Sequence, residues 1–234
     1  DVGSGLWFNG STVSNCVVQK CATSCDGMSG GSTAVANLYG KMYNCIVREN
    51  EGIGRYGGAL YAKGATVVDC AISNNFCTIY STCSGQGVNM AGGTMLRTVV
   101  SDNRLFVGGN AGTCGGLLVS GNGAEILNCL IVANKAAKNG GGVYVANDIT
   151  GVKFVNCTIA DNNALNGGGV AMGNANSSAT FVNCLFWGNT DNAASQGVTQ
   201  PTWYNLNTAK CTFSHNAVPA KGAQLGESDF VIAN

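Results

Sequence analysis

The chain is poor in proline, histidine and charge. Among 234 residues there are 2 prolines and 1 histidine. So few prolines exclude a proline-rich linker or a polyproline rod. A single histidine excludes a histidine-built metal centre, and no CxxC pair or Cys/His cluster has tetrahedral spacing. Charged residues make up 10%, against about 25% in ordinary globular chains. The 12 basic residues are balanced by 12 acidic ones. The basic surface that phosphate neutralisation demands is therefore missing, which excludes a nucleic-acid binder. No apolar run reaches the length of a membrane-spanning helix. There is no GxSxG, HExxH, Walker or dinucleotide fingerprint. The glycine runs at Gly140 and Gly167 open no helix, so they form no phosphate loop, and no cofactor is expected. No signal peptide stands at Asp1, as in a mature or trimmed form.

Glycine, asparagine and cysteine are abundant: 35, 28 and 12 residues. A hydrophobic content of 45% supplies a core and argues against disorder. The distribution is periodic. Cysteine recurs in SNCVV (Cys16), YNCIV (Cys45), VDCAI (Cys70), LNCLI (Cys129), VNCTI (Cys157), VNCLF (Cys184) and AKCTF (Cys211), and LRTVV puts Thr98 in the same slot. Numbering each copy from this slot as 0, position +5 is asparagine in all but the first copy: Asn50, Asn75, Asn103, Asn134, Asn162, Asn189 and Asn216, with Cys21 as the exception. A glycine, often the second of a pair, runs in step at Gly5, Gly31, Gly58, Gly87, Gly116, Gly142, Gly169 and Gly197, and Gly222 opens a partial ninth copy.

Two markers in phase at a period of 27 to 28 residues announce a solenoid. A leucine-rich horseshoe needs LxxLxL, which is missing. Helical repeats fail because the apolar segments are short, β-branched and cut by glycine, which costs about 1 kcal/mol each in a helix interior. The reading that remains is an all-β parallel β-helix with about eight rungs, each resting on its neighbours for a core.

The pairing of GGAL (Gly57 to Leu60) with FWGN (Phe186 to Asn189) and FSHN (Phe213 to Asn216) resembles the repeat of chlamydial polymorphic outer-membrane proteins. It is also similar to the wider right-handed parallel β-helix repeats of secreted bacterial proteins. The resemblance covers essentially the whole chain. It implies a single-stranded, right-handed β-helix domain over 1–234 and an extracellular or cell-surface location. Such families hold adhesins, autotransporter passengers and polysaccharide-degrading enzymes, so the resemblance is specific for fold and not for activity. The chain ends inside SDFVIAN, which reads as another strand and points to a longer natural protein.

Period-2 alternation puts positions 0 and +2 in the core and +1 and +3 outside. The +5 asparagines are expected as a buried ladder and the slot-0 cysteines as small buried hydrophobes. Positions −3 and −2 are both mostly apolar, and their phase stays open. Off the ladder, Cys21, Cys25, Cys77, Cys83 and Cys114 are candidates for disulfide staples, with Cys83–Cys114 and Cys77–Cys83 as alternative pairings.

Two functional readings follow. The first is a secreted or cell-surface, non-catalytic module: adhesin-like, glycan- or protein-binding, or a spacer. Its candidate contact residues are Leu130, Val132, Leu185 and Trp187 on the outward face, with the aromatics Tyr144, Trp203 and Tyr204; capping of the solenoid end is the competing role for the last two. Lateral self-association or packing against a neighbouring domain would also cover an outward apolar face. The second is a glycoside hydrolase or polysaccharide lyase. Glu49, Asp102 and Asp161 share position +4 and so one face, but no second acid column opposes them.

Overall fold

A computed structural model of the chain describes residues 6–23, 35–52, 58–77, 87–105, 112–191, 203–204, 210–219 and 230–232. One rung is a strand that bends, Leu60–Val68, then a short strand, Ala71–Ser73, then a two-residue strand, Phe76–Cys77. The next copy repeats this as Val88–Leu96, Val99–Ser101 and Arg104–Leu105. It lies parallel on the first with Val88 opposite Leu60, Val99 opposite Ala71 and Arg104 opposite Phe76. Each sequence repeat is thus one rung. The stacked rungs build a 12-stranded, a 9-stranded and a 4-stranded sheet, with a 2-stranded sheet continuing the third edge. We call the first three A, B and C. Among the described residues every named strand pairing is parallel, and no helix occurs.

The chain turns from sheet A to sheet B at position −1, and from B to C at +4. Both columns are left-handed. Asn15, Asn44, Asp69, Arg97, Asn128, Asn156 and Asn183 at −1 have φ between 46° and 54°, and Lys20, Glu49, Asn74, Asp102, Ala133, Asp161 and Gly188 at +4 lie between 54° and 60°. Asparagine and aspartate dominate because their short side chains tolerate this region best. The corner thus comes one residue before the ladder asparagine and leaves +5 free to point inward, as expected.

Positions 0 and +2 are buried from the second rung onwards, as alternation predicts. The open question at −3 and −2 is settled: Val13, Met42, Val67, Met95, Ile126, Phe154 and Phe181 at −3 are core, while −2 faces out. Towards the C-terminal end this column becomes a ring stack. Phe154 and Phe181 lie 4.9 Å apart at 11°, and Phe181 and Phe213 lie 5.1 Å apart at 12°.

That stack corrects the last repeat. Phe213 pairs with Phe181, Ser214 with Val182, and Ala217 with Leu185. Asn216 therefore sits in slot 0, and its Oδ1 accepts the Cys184 N–H at 2.7 Å. Cys211 falls at −5 and His215 at the left-handed −1 corner. The letters FSHN match the motif but stand five residues out of phase, because continuing the aromatic stack outweighs keeping a cysteine in the slot. The same shift moves the start of this rung. Trp203 pairs with Val170, just past the Gly169 marker, so the rung opens at 203 rather than near 197. Gly197 and Gly222 lie outside the described residues.

The asparagine ladder is the seam of the rod. Asn162 Nδ2 donates to the Ile131 carbonyl at 2.9 Å and to Asn189 Oδ1 at 3.0 Å, while its own Oδ1 accepts from Asn134 N and Nδ2 at 2.9 and 3.0 Å. Asn50, Asn75, Asn103 and Asn134 donate in the same way to the rung on either side. All are essentially fully buried.

The glycine marker lies against this amide. A Cβ on Gly87, Gly116 or Gly142 would stand 2.7, 2.8 or 2.7 Å from Nδ2 of Asn103, Asn134 or Asn162, the asparagine closing the same rung. The preceding glycine meets the outgoing strand: a Cβ on Gly141 would be 2.5 Å from the Asn163 carbonyl oxygen. The chain therefore enters and leaves the core through one neck. Beyond it, Cys77 and Leu105 form a small separate apolar cluster under sheet C.

Gly142→Ala is expected to cost about 1–3 kcal/mol by overpacking the neck, and Asn162→Ala a similar ~1–3 kcal/mol by removing four buried hydrogen bonds. The left-handed corner supplies the opposite sign: Ala133→Gly should gain about 1 kcal/mol. Urea denaturation of the three variants checks all of these.

Candidate binding surfaces

The outer face of sheet B is formed by Leu130–Val132, Thr158–Ala160 and Leu185–Trp187 in direct register. Leu130 stacks on Thr158 and then Leu185; Val132 stacks on Ala160 and then Trp187. The four apolar residues picked from sequence thus share one face, two rungs apart, with a small residue between each pair. Leu130 is 38% and Trp187 40% exposed. Val132 and Leu185 are half-buried. Earlier rungs extend the face with Val17, 55% exposed, and Ile46, 37% exposed. Among the described residues, charge enters this face only at the first rungs, through Arg48, which bonds Gln19 at 3.0 Å.

The other aromatics are dispersed. Trp203 is buried, with its ring 4.4 Å from Phe186 and 5.0 Å from Phe213. It is a core residue and not a contact residue: register with Val170 turns it inward over the phenyl stack. Tyr204 pairs with Ala171 on the adjacent position. Tyr144 is half-buried between Leu118 and Ala171 on sheet A. At the first rungs Trp7 stacks on Tyr39 at 5.1 Å, and Tyr39 meets Tyr61 edge-on at 6.2 Å. These rings lie against one another along the rod.

The acids of position +4 form a single file. Asn74 stands between Glu49 and Asp102, and Ala133 between Asp102 and Asp161, so neighbours are two rungs, roughly 9.6 Å, apart. All three occupy left-handed corners, which is a backbone reason for acids to be there. Glu49 lies 3.8 Å from both Lys20 and Arg48. Asp161 leans over Gly188, whose missing Cβ leaves room for its Oδ1. Among the described residues no three His, Cys, Asp or Glu side chains are grouped to hold a metal.

Two further surface features are present. One is a polar spine along the −1 corner. Asn156 donates to Asn128 at 3.0 Å, Asn183 to Asn156 at 3.1 Å, and Arg97 grips Asp69 with bonds of 2.7 and 2.8 Å. The hydrogen bond from Arg97 holds the Asp69 carboxyl below the usual range. The other is a cleft of about 220 Å³ lined by Asn74, Asn75, Phe76, Asp102 and Arg104. Its signal was position +6, where Phe76, Arg104 and Lys135 follow one another up the edge of sheet C.

The slot-0 cysteines are buried polar links. The Cys16 and Cys45 N–H groups each point at the next sulfur at 3.4 Å, and Cys70 N–H points at Thr98 Oγ1 at 3.3 Å. Cys45 Sγ donates to the Tyr43 carbonyl at 3.1 Å, and Thr98 Oγ1 to that of Leu96 at 3.0 Å. Threonine reproduces both bonds, which is why it substitutes there. Burial pushes the Cys70 thiol up to about 11. Of the staple candidates, Cys21 occupies the asparagine slot and its N–H bonds Asn50 Oδ1 at 3.1 Å. Cys77 is buried beside Leu105. Cys114 is a fully buried thiol raised by that burial. Cys25 and Cys83 lie outside the described residues, and with them one partner of each expected pairing.

With parallel rungs and an inward ladder established, comparison with known families is decisive. Residues 113–234, more than half of the chain, match the family described as right handed beta helix region. The chain belongs to that family. Its hand is therefore right-handed, in line with the rule for parallel crossovers. Comparison with curated proteins and with solved structures gives no match, and the likeness to polymorphic outer-membrane repeats is carried no further. No helix among the described residues is long and apolar enough to cross a membrane.

Because the Cys70 thiol is raised in the fold, the unfolded chain ionises first. Stability should be intact below pH 9 and fall as pH climbs from about 9 to about 11. In Cys70→Thr that loss should shrink, while stability at neutral pH changes by less than about 1 kcal/mol because the threonine bonds are already accommodated at Thr98. Denaturant midpoints against pH for both proteins provide the check.

Proposed function

We propose that the chain is a non-catalytic, extracellular or cell-surface module that binds a glycan or protein surface through the outer face of sheet B. The observation that carries this reading is the exposure of Leu130 and Trp187 on one flat, in-register face whose inward partners already fill the core. Isolated exposed apolar side chains are ordinary, but an aligned set on a regular surface is the kind of feature that marks interaction sites. A net charge of zero supplies little long-range steering. Recognition then rests on shape and aromatic contact and depends weakly on salt.

The enzymatic alternative is less well supported. A glycosidase needs two carboxyls about 5–9.5 Å apart across a groove, one on each side of the scissile bond. Glu49, Asp102 and Asp161 stand in one file on corner backbone, with Glu49 held by two cations. The double variant Trp187→Ala with Leu130→Ser should lose at least tenfold in affinity for the partner recovered by a glycan array or surface capture, about 1.4 kcal/mol, with its melting curve unchanged. Wild-type binding by this variant, for a partner whose binding does not need the cleft residue Arg104, sinks the proposal. Glycan turnover that disappears in Asp102→Asn would establish the enzymatic reading instead.

A further inference from the structure

The cleft beside the B-to-C corner carries chemistry that the sheet B face does not. It is lined by Asn74 and Asp102 at +4, by Phe76 and Arg104 at +6, and by the ladder residue Asn75. Asn75 is committed, since its amide bonds Val47 and Asn103. The other polar side chains are not. Among the described residues, neither the Asp102 carboxylate nor the Arg104 guanidinium makes an ion pair, although they stand two residues apart on one rung. Ion pairs between rungs do form elsewhere on the rod: Arg97 takes Asp69, Lys153 takes Glu125, and Lys20 takes Glu49. At the cleft an acid and a base stand unpaired over a half-buried phenyl ring.

We infer that this cleft binds one neutral pyranose unit of a polysaccharide. A sugar ring needs what the cleft offers. Its adjacent hydroxyls donate to a carboxylate, and its hydroxyl and ring oxygens accept from a guanidinium. The Asn74 amide does either, and the C–H face of the ring covers an aromatic side chain. A volume of about 220 Å³ lies below the ~300–1,000 Å³ of sites that enclose drug-sized ligands, so it suits one ring and not an extended molecule. A polymer is favoured over a free sugar because the +4/+6 edge continues past the cleft. Ala133 and Lys135, Asp161 and Asn163, then Gly188 and Thr190 follow on successive rungs. Rungs advance by ~4.8 Å, close to the advance of a glycan chain per residue. Weak single-unit binding then gains from neighbouring units on the same chain. A free amino acid or peptide end, offering ammonium to Asp102 and carboxylate to Arg104, is the competing ligand. It is disfavoured because opposite charges paired in an open, solvated cleft gain little.

The site is separate from the sheet B face, so the two readings fail independently. The test is saturation-transfer NMR and titration of the intact chain with a panel of neutral tetrasaccharides of glucose, mannose, galactose and xylose, and with glycylglycine. At least one tetrasaccharide should bind, with transfer strongest at C–H protons of one ring. Arg104→Gln and Asp102→Asn should each weaken it about fivefold or more, and Phe76→Leu should do so while keeping an apolar strand residue. Trp187→Ala with Leu130→Ser should leave this binding unchanged, and denaturation of every variant should match wild type. Three results overturn the proposal: no response to any tetrasaccharide at ~10 mM, tenfold above a millimolar affinity; equal binding by the Arg104 and Asp102 variants; or glycylglycine binding more tightly than every saccharide.

Discussion

The contact between an asparagine amide and a glycine with no side chain is the constraint on which the rest of the rod depends. Asn103, Asn134 and Asn162 close their rungs against Gly87, Gly116 and Gly142. The amide replaces hydrogen bonds that the backbone loses where the chain turns out of the core. Because each amide also bonds the amides above and below, correct closure of one rung positions the next. The apolar columns at −3, 0 and +2 supply most of the burial and already oppose a slip of register. A slip by one position would turn them all outward, and the buried amides would then lack partners. The ladder therefore contributes uniqueness as well as stability, as fully satisfied polar networks do.

Much of this was legible in sequence because it is written in rare, directional residues. Asparagine at a mean interval of about 28 residues, glycine in step and alternation around slot 0 made legible the rung, its inward faces and the outward position of Leu130 and Trp187. What stayed hidden has physical causes. The phase of −3 and −2 could not be read, because the outward −2 residues Tyr43, Val68, Leu96 and Leu127 are as apolar as the inward ones. The eighth copy was misplaced because FSHN spells the motif, while packing of Phe213 on Phe181 decides the register. Trp203 reads as a surface aromatic until its pairing with Val170 turns it inward. The cleft was not read because it joins Asp102, marked only as one of the +4 acids, to Asn74, Phe76 and Arg104 across two rungs.

The two polar corner columns show how backbone and surface chemistry are coupled. Left-handed residues at −1 and +4 favour Asn and Asp, so any solenoid with these corners acquires files of amides and carboxylates. At −1 the file is consumed internally, with Asn183, Asn156 and Asn128 bonded in series. At +4 the larger spacing between acids leaves some of them open to solvent. A column of acids on such a fold is thus first a consequence of turn geometry. Its departures from mutual pairing are what separate a site from a corner.

The single neck has a consequence for how this architecture varies. Fewer residues separate Asn134 from Gly142 than Asn103 from Gly116 or Asn75 from Gly87, yet Gly87, Gly116 and Gly142 meet their asparagines in the same way. Lengthening an excursion adds only loop-closure entropy, about 0.6 kcal/mol per doubling, and removes nothing from the core. The edge beyond sheet C is therefore where whole peptides or small domains could be spliced in with the rest of the molecule unaware of them, and where divergence between related rods should accumulate fastest.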